Sequence, residues 1–298
     1  MRILECVPNF SEWRDPNFLK ELEAAVRPFP VKILDLSRDP DHHRADMTIL
    51  GEPAAVEQAA MAVACRAVDL IDMTKHKGSH PRMGAVDVVP FVPIRGMTMD
   101  ETVALARRFG VAFGAAKRVP IFYYEDAASS EARRNLADVR KGEYEALPKK
   151  LADPAWRVDA GPQEFNPRAG ATAVAARMPL IAFNVNLNCH DLEVAKKIAN
   201  AVRHVGGGLR FVKALGLRLE DKGIVQVSMN LVNYQKTPIH RAVELIKAEA
   251  ARYGATVREC ELVGLVPIEA IQEVVSYYLQ LPEFNAKQII EYHLIPDA

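Results

Sequence analysis

The stretch HKGSHPRMGAVDVVPFVP, residues 76 to 93, sets two histidines, two cations, two glycines and three prolines at the entrance of what reads as a buried strand. His76 and His80 have the i, i+4 spacing of two ligands on one helical face. Gly78 between them and Pro81 directly after work against a continuing helix, because the residue before a proline is pushed toward extended backbone. The metal reading is therefore weak. What remains is His80 at a restricted backbone angle beside Lys75, Lys77 and Arg82. Their charge lowers the pKa of an imidazole and keeps it neutral near pH 7, and a neutral imidazole can take a proton. A histidine that caps a turn or bonds a carbonyl fits the same residues.

Lys75, Lys77 and Arg82 could hold a carboxylate or phosphate, the arginine in bidentate fashion, or form a solvated basic turn. A second concentration of titratable groups is RDPDHHR, with Asp39, Asp41, His42, His43 and Arg44 between two candidate strands. A hairpin end of this kind is ordinarily surface. It gains interest if its strand shares a sheet with the strand after His80, which would bring both loops to one end.

The elements that must position these groups alternate along the chain. RILECVP is a strand and DPNFLKELEAAV a helix, capped by Asp15 with Pro16 in its first turn. VKILDLS and ADMTILG are strands flanking the polar loop, PAAVEQAAMAVACRAVDLIDM is a helix opened by Pro53, and VDVVPFVP is a buried strand. TMDETVALARRFGVAFGAAK follows as a helix with Thr98 and Glu101 spaced as a capping box, then strand VPIFYYE and a helix around Glu131 to Arg140. Lys141 to Gly170 has little periodicity and reads as a long, packed, irregular connection. The order βαββαβ then returns: LIAFNVNLN, DLEVAKKIANAVRH, FVKALGLRLE, IVQVSMNLVN, TPIHRAVELIKAEAARYG, TVRECELVG.

These patterns predict an α/β (α+β) chain of two split-βαβ, ferredoxin-like subdomains, the first carrying an extra αβα. In IVQVSMNLV, alternation puts Val225, Val227, Met229 and Leu231 on one face and Gln226, Ser228 and Asn230 on the other, a polar face that lines a cavity or meets solvent.

Composition narrows the function classes. The chain has 298 residues, 49% of them hydrophobic, enough to bury a sizeable core or two small ones. Thirty-eight basic residues balance thirty-eight acidic ones, so no long-range field draws the protein to nucleic acid or to an anionic membrane. Cys6, Cys65, Cys189 and Cys260 are widely separated and make no zinc or disulfide pattern. The amino terminus lacks the apolar core of a signal peptide, and no apolar run approaches the roughly 20 residues of a membrane span. A cytoplasmic location is expected. GxGxxG, Walker A and GxSxG patterns are absent from the sequence, and HVGGGLR reads as the end of a helix.

At ECVPNFSE and IDMTKHKGSHPRMGAVDVVPFVP the sequence resembles the formiminotransferase domain family, which occurs as glutamate formimidoyltransferase and as the first part of formiminotransferase-cyclodeaminase. The resemblance continues through GEYEALPKKL, GPQEFNP, LIAFNVNLN, QVSMNL and ELVGLVP and covers nearly the whole chain. It implies two subdomains, 1–178 and 179–298, whose mixed sheets face each other with helices outside and a folate site in the groove between them. It implies that His80 is catalytic and that the folate loop is Gly161, Pro162, Gln163, Glu164, Phe165, Asn166, Pro167, Arg168, Ala169 and Gly170. Two departures stand out: Trp13, where the family commonly has glycine, and HHR at His42 to Arg44, where it more usually ends in Asn-Arg.

The implied reaction moves a formimino group between N5 of tetrahydrofolate and the amino group of glutamate, in histidine degradation. Tetrahydrofolate is then a co-substrate, no metal is expected, and the partners are small molecules, with a homodimer implied by the family. Asp39, Arg44, Lys77 and Arg82 become candidate substrate-binding residues: the cations, Lys75 among them, for carboxylates and Asp39 for a cationic amidinium. Cyclodeaminase activity is expected to be absent. Rival readings are formyl transfer from 5-formyltetrahydrofolate, transfer to another amino acid, a non-catalytic folate-binding protein, and a metal hydrolase using His42, His43, His76 and His80.

Overall fold

The structure, a computed structural model, describes residues 1–39, 43–77 and 81–294, without the side chains of Asp39, Asp221 and Leu294. The chain divides into two units, Met1–Arg177 and Met178–Ala298.

The first unit begins with β1 (Ile3–Cys6), β2 (Asn9–Phe10) and α1 (Phe18–Val26). Next come β3 (Val31–Asp39), β4 (Arg44–Gly51), α2 (Pro53–Leu70), β5 (Val86–Arg95), α3 (Met99–Lys117) and β6 (Ile121–Glu125). The unit ends with two short helices, α4 (Leu136–Arg140) and α5 (Leu147–Ala152), and with β7 (Thr172–Ala176). β1 and β2 are one pass of chain, interrupted at Pro8, and both lie between β4 and β5 in antiparallel pairing. β3 pairs antiparallel with β4, while β7 pairs parallel with both β5 and β6. The spatial order of the βαββαβ part is thus β3, β4, β1, β5, with β7 and β6 added beyond β5.

Two of the predicted helix starts follow local chemistry, and a third does not. Thr98 and Glu101 form the expected capping box of α3, and Pro53 sits in the first turn of α2. α1 begins later than predicted, with Asn17 at its cap position; the Asp15 carboxylate instead accepts the Asn17 N–H at 2.8 Å. The apolar face of each helix packs on one side of the sheet, with Phe10, Phe91, Phe109 and Phe113 fully buried among them. Each such side chain contributes roughly 1.5–3 kcal/mol over leaving it in water. The opposite side of the β5–β7–β6 region is covered by Val139, Leu147 and Leu151, with Trp156 and Phe165 packed alongside. Lys141 to Gly170 is therefore packed, as expected, but it holds α5 and two single-turn helices. The span expected to be helical around Glu131 to Arg140 is a single turn at Glu131–Arg133 followed by α4.

Sequence reasoning missed β7. Its residues TAVAA are buried on both faces, so they show no alternation, and their small side chains carry little strand signal.

The second unit runs β8 (Ile181–Leu187), α6 (Leu192–Val202), β9 (Val212–Leu219), β10 (Ile224–Leu231), α7 (Ile239–Ala251), β11 (Val257–Val263) and α8 (Ile268–Tyr278). Its sheet order, β11, β8, β10, β9, is that of a split βαβ unit. Both sheets were expected to be mixed. The first is, through β7, but the second is antiparallel throughout, because the strands joined by a helix, β8 and β9, are separated by β10. Val225, Val227, Met229 and Leu231 enter the core with α6 and α7, as the alternation requires. On the other face Gln226 donates to Asn186 at 2.9 Å, Asn186 to Glu259 at 3.0 Å and Asn184 to Glu261 at 3.0 Å. Among the described residues, no helix is long and apolar enough to cross a membrane.

Candidate active site

A cleft at one end of the first sheet is lined by Asn9, Phe10, Ser11, His43, Arg44, His76, Arg82 and Asp87. It exists because the pairing of β2 with β4 and β5 brings the start of β4 and the start of β5 to the same end. The two loops singled out in the sequence therefore meet. His80 lies outside the described residues, between Lys77 and Pro81, and the same holds for His42, Asp41 and the side chain of Asp39.

The chain on either side of His80 is closely tied. Ahead of it, the His76 N–H donates to Met73 O at 3.2 Å and the Met73 N–H to Arg168 O at 2.9 Å. The Arg14 guanidinium reaches Lys77 O at 3.3 Å. Behind it, the Met83 N–H donates to the Asp87 carboxylate at 2.9 Å, and Asp87 also accepts from Arg140. The Ser11 hydroxyl donates to Gly84 O at 2.8 Å, and the Ala85 N–H to Ala169 O at 2.8 Å.

Arg82, predicted as an anion partner, is almost wholly enclosed, its side chain 9% exposed. Its Nη1 donates to Glu143 at 2.7 Å and to Glu145 at 2.9 Å, its Nη2 to Glu145 at 2.5 Å, and its Nε to His76 Nδ1 at 3.3 Å. Burial opposes its charge, but the Glu145 and Glu143 carboxylates outweigh this and raise its pKa above the ordinary value. In turn Arg82 holds the Glu145 carboxyl below the usual range. Glu143 is 38% and Glu145 63% exposed at the side chain, so these carboxylates form the solvent side of the arginine.

His76, half-buried, is the cation-capable group beside it. A guanidinium has no acceptor, so the Arg82 contact requires Nδ1 to be bare and the proton to sit on Nε2, which lies 3.3 Å from His43 O. Burial pushes the His76 pKa down, the bond to His43 O pulls it partly back, and Arg82 and Arg14 lower it further. His43 adopts a left-handed backbone with φ 57°, and its ring stacks on Trp13. Arg44 donates to the Asn9 side chain at the cleft. Lys77 and Lys75 are exposed, and Lys75 stands 3.6 Å from Asp72.

The 161–170 loop is anchored at both ends by glycines with positive φ, Gly161 at 75° and Gly170 at 71°. A methyl group at Gly170 would stand 2.2 Å from Met83 O, and one at Gly161 would stand 2.2 Å from Val119 O, so only glycine fits. Within the loop Asn166 accepts from the Arg168 and Ala169 N–H groups and donates to Arg118 O. Gln163 donates to Leu151 O at 2.7 Å, Glu164 pairs with Arg118 at 3.2 Å, and Phe165 packs on Tyr144. The Tyr144 hydroxyl donates to Pro167 O at 2.5 Å while its N–H donates to Arg82 O at 2.9 Å. Tyr144 thus links the loop to the neighbourhood of Arg82, with Ala169 bonded to Ala85 and Arg168 to Met73.

Sequence reasoning passed over Glu143, Tyr144, Glu145, Asn9, Ser11 and Asp87, and weighed His76 only as a metal ligand. The signal was present in PNFSE and GEYE, whose polar residues interrupt otherwise apolar or helical patterns. Among the described residues, no group of three or more His, Cys, Asp or Glu side chains is placed to share a metal ion.

Comparison with known proteins extends the match to both units. Residues 3–177 match the family model described as "Formiminotransferase domain, N-terminal subdomain", and residues 182–295 that described as "Formiminotransferase domain". The chain is 46% identical over 296 residues to a protein of Streptococcus pyogenes serotype M1 named glutamate formimidoyltransferase, covering 99% of each chain. It is 45% identical to a protein of the same name from Thermoplasma acidophilum, over 98% of this chain and 97% of that one. It is 41% identical to the formimidoyltransferase-cyclodeaminase of Rattus norvegicus, over 93% of this chain but only 52% of the relative. With both subdomain models matched in order and full-length relatives at this identity, the chain belongs to the formiminotransferase family.

Proposed function

We propose that this protein transfers a formimino group between N5 of tetrahydrofolate and the amino group of L-glutamate, a step of histidine degradation. The observation that carries this reading is the match of both units to the family in order, together with full-length relatives named for that transfer. Tetrahydrofolate is the co-substrate and the protein is a transferase.

The attacking amine must be deprotonated, and the nitrogen that leaves the tetrahedral intermediate must gain a proton. One base working near neutral pH can do both, a role contributing ~10² to 10⁴ in rate. His80 is assigned that role. The remaining acceleration comes from alignment of the two bound substrates. The 161–170 loop is assigned to folate, supported by its glycine-anchored ends and its bonds to Met73 and Ala85 beside the cleft. Arg44 at the cleft and the exposed Lys77 are assigned to substrate carboxylates, Asp39 to the amidinium. Arg82 joins them only where a substrate carboxylate displaces the exposed Glu145. A cytoplasmic homodimer completes the reading.

The test is turnover of formiminoglutamate with tetrahydrofolate by the purified protein, following the folate product by absorbance, with formylglutamate and formiminoglycine in parallel. Preferred turnover of formiminoglutamate, lost in His80→Ala with folate binding intact, is the expected result. Turnover in His80→Ala within a few-fold of the unaltered protein discards the His80 assignment, and no turnover of any of the three discards the activity.

A further inference from the structure

The fork of Arg82 is held by two carboxylates of the protein itself. Glu145 accepts from both of its ends, Nη2 at 2.5 Å and Nη1 at 2.9 Å, the paired geometry in which a free carboxylate meets a guanidinium. Glu143 adds a third contact to Nη1 at 2.7 Å. The partners are unequally placed. The Arg82 side chain is 9% exposed and lines the cleft, whereas that of Glu145 is 63% exposed. A carboxylate largely in water thus covers an enclosed cation of the cleft.

The backbone that presents these carboxylates is strained. Glu143 has φ 57° and ψ −158°, a region essentially reserved for glycine, and it follows Gly142 at φ 85°. The Glu143 N–H on Arg140 O at 2.7 Å and the Tyr144 N–H on Arg82 O at 2.9 Å keep the turn there. Strain of this kind persists only where the surroundings over-determine it, and it offsets part of what the ion pairs contribute. Such a contact, with its outer carboxylate in water, is one that another carboxylate can replace. The charge at the fork is the same before and after, since one carboxylate leaves as another arrives.

We propose that Glu145 is a stand-in ligand: in the resting protein it holds the Arg82 fork in place of a carboxylate of a glutamate moiety, and that substrate carboxylate displaces it on binding. Glu143 stays on Nη1 and keeps the fork oriented. The proposal rests on the reading of this protein as a transferase acting on glutamate and tetrahydrofolate, both of which carry such a carboxylate. It makes the site selective, because only a ligand whose carboxylate reaches the fork restores the contact that Glu145 gives up. The test is equilibrium binding to the full chain by calorimetry. L-glutamate is titrated in the presence of tetrahydrofolate, and tetrahydrofolate is compared with tetrahydropteroate, which lacks the glutamate tail. Removing a resident competitor tightens binding of whatever it competes with, so Glu145→Ala is expected to lower Kd about threefold to tenfold. A gain for L-glutamate places the amino-acid substrate on Arg82; a gain for tetrahydrofolate with none for tetrahydropteroate places the folate tail there. Glu145→Gln, which keeps the shape but not the charge, should give a smaller gain of the same sign. In an Arg82→Met background Glu145→Ala should change neither Kd, because the fork is gone.

An unchanged or weakened Kd for both L-glutamate and tetrahydrofolate in Glu145→Ala overturns the proposal, since a glutamate that only supports the structure can only cost affinity. An equal gain for tetrahydropteroate, or the same gain in the Arg82→Met background, overturns it too. If Glu145→Ala fails to fold, Glu145→Gln decides by the same signs. Turnover of formiminoglutamate by the unaltered protein reads the transferase assignment separately. Tightened L-glutamate binding without turnover upholds the stand-in and discards the activity; turnover without tightening of either ligand discards the stand-in and upholds the activity.

Discussion

The indole of Trp13 stacks on the imidazole of His43, ring centroids 4.8 Å apart and planes 12° from parallel. These two residues are among the places where the sequence departs from the pattern it resembles, and they touch. The reason lies in the backbone. His43 has φ 57°, a left-handed conformation that asparagine adopts more readily than histidine. Stacking on Trp13 offsets part of that strain. Arg14 lies 5.4 Å from the Trp13 ring centroid and extends the stack, while Trp13 Nε1 and His43 Nδ1 have no hydrogen-bond partner among the described residues.

The pair should therefore be coupled. Trp13→Ala and His43→Asn, singly and together, are expected to show a coupling energy of about 0.5–1.5 kcal/mol in a denaturation cycle, the double variant being less destabilised than the sum of the two. Strict additivity would mean that the two changes are independent.

Arg82 is held by carboxylates that are themselves partly in water, so the cost of losing it is smaller than for a fully buried pair. Arg82→Met should lower stability by about 1–3 kcal/mol, since it leaves Glu143 and Glu145 facing each other without a cation. Arg82→Lys should restore little, because an ammonium cannot present the forked donors that Glu145 accepts. Urea denaturation of both variants decides this. A substrate KM that rises while stability stays unchanged would place Arg82 on a substrate anion instead.

Gly170→Ala forces a methyl group to 2.2 Å from Met83 O in a backbone of positive φ. The expected loss is about 2 kcal/mol or more, with folate affinity falling as the loop end shifts away from β5. Thermal unfolding and folate fluorescence titration measure the two effects. Wild-type stability in this variant would show that the loop end can rearrange freely.

Acid should loosen the cleft. The pKa of His76 lies below its ordinary value of 6.5, so the unfolded chain binds the proton first, and stability from the neutral ring is complete above that value and is lost as pH falls through the folded pKa. His240 shifts in the same direction, chiefly by burial. Glu145, held low by Arg82, adds a further loss at lower pH, below its ordinary value of 4.5. Unfolding free energy should therefore decline on acidification below 6.5, less steeply in His76→Gln. An unchanged slope in that variant would show that the ring is as easily protonated folded as unfolded.

Where signals were local, the elements were legible. The capping box at Thr98 and Glu101, Pro53 opening α2, and the alternation of Val225, Val227, Met229 and Leu231 each predicted what the structure contains. So did the order of strands and helices that makes each unit a split βαβ. β7 was hidden because a strand buried on both faces has no period, and α8 was not resolved from the chain end that follows β11.

The amino-acid sequence by itself determined the two-unit α/β plan, the family, and the concentration of histidines and cations around Pro81. Only the tertiary structure decided what the charged residues there do. Arg82 became a buried hub because Glu143 and Glu145, more than sixty positions away, return over it. His76 became a bridge of fixed tautomer because the pairing of β2 with both β4 and β5 carries the His43 carbonyl to it. Spacing along a chain encodes helix and strand periods of a few residues; which cation meets which carboxylate is set by the sheet that brings distant segments within hydrogen-bond reach.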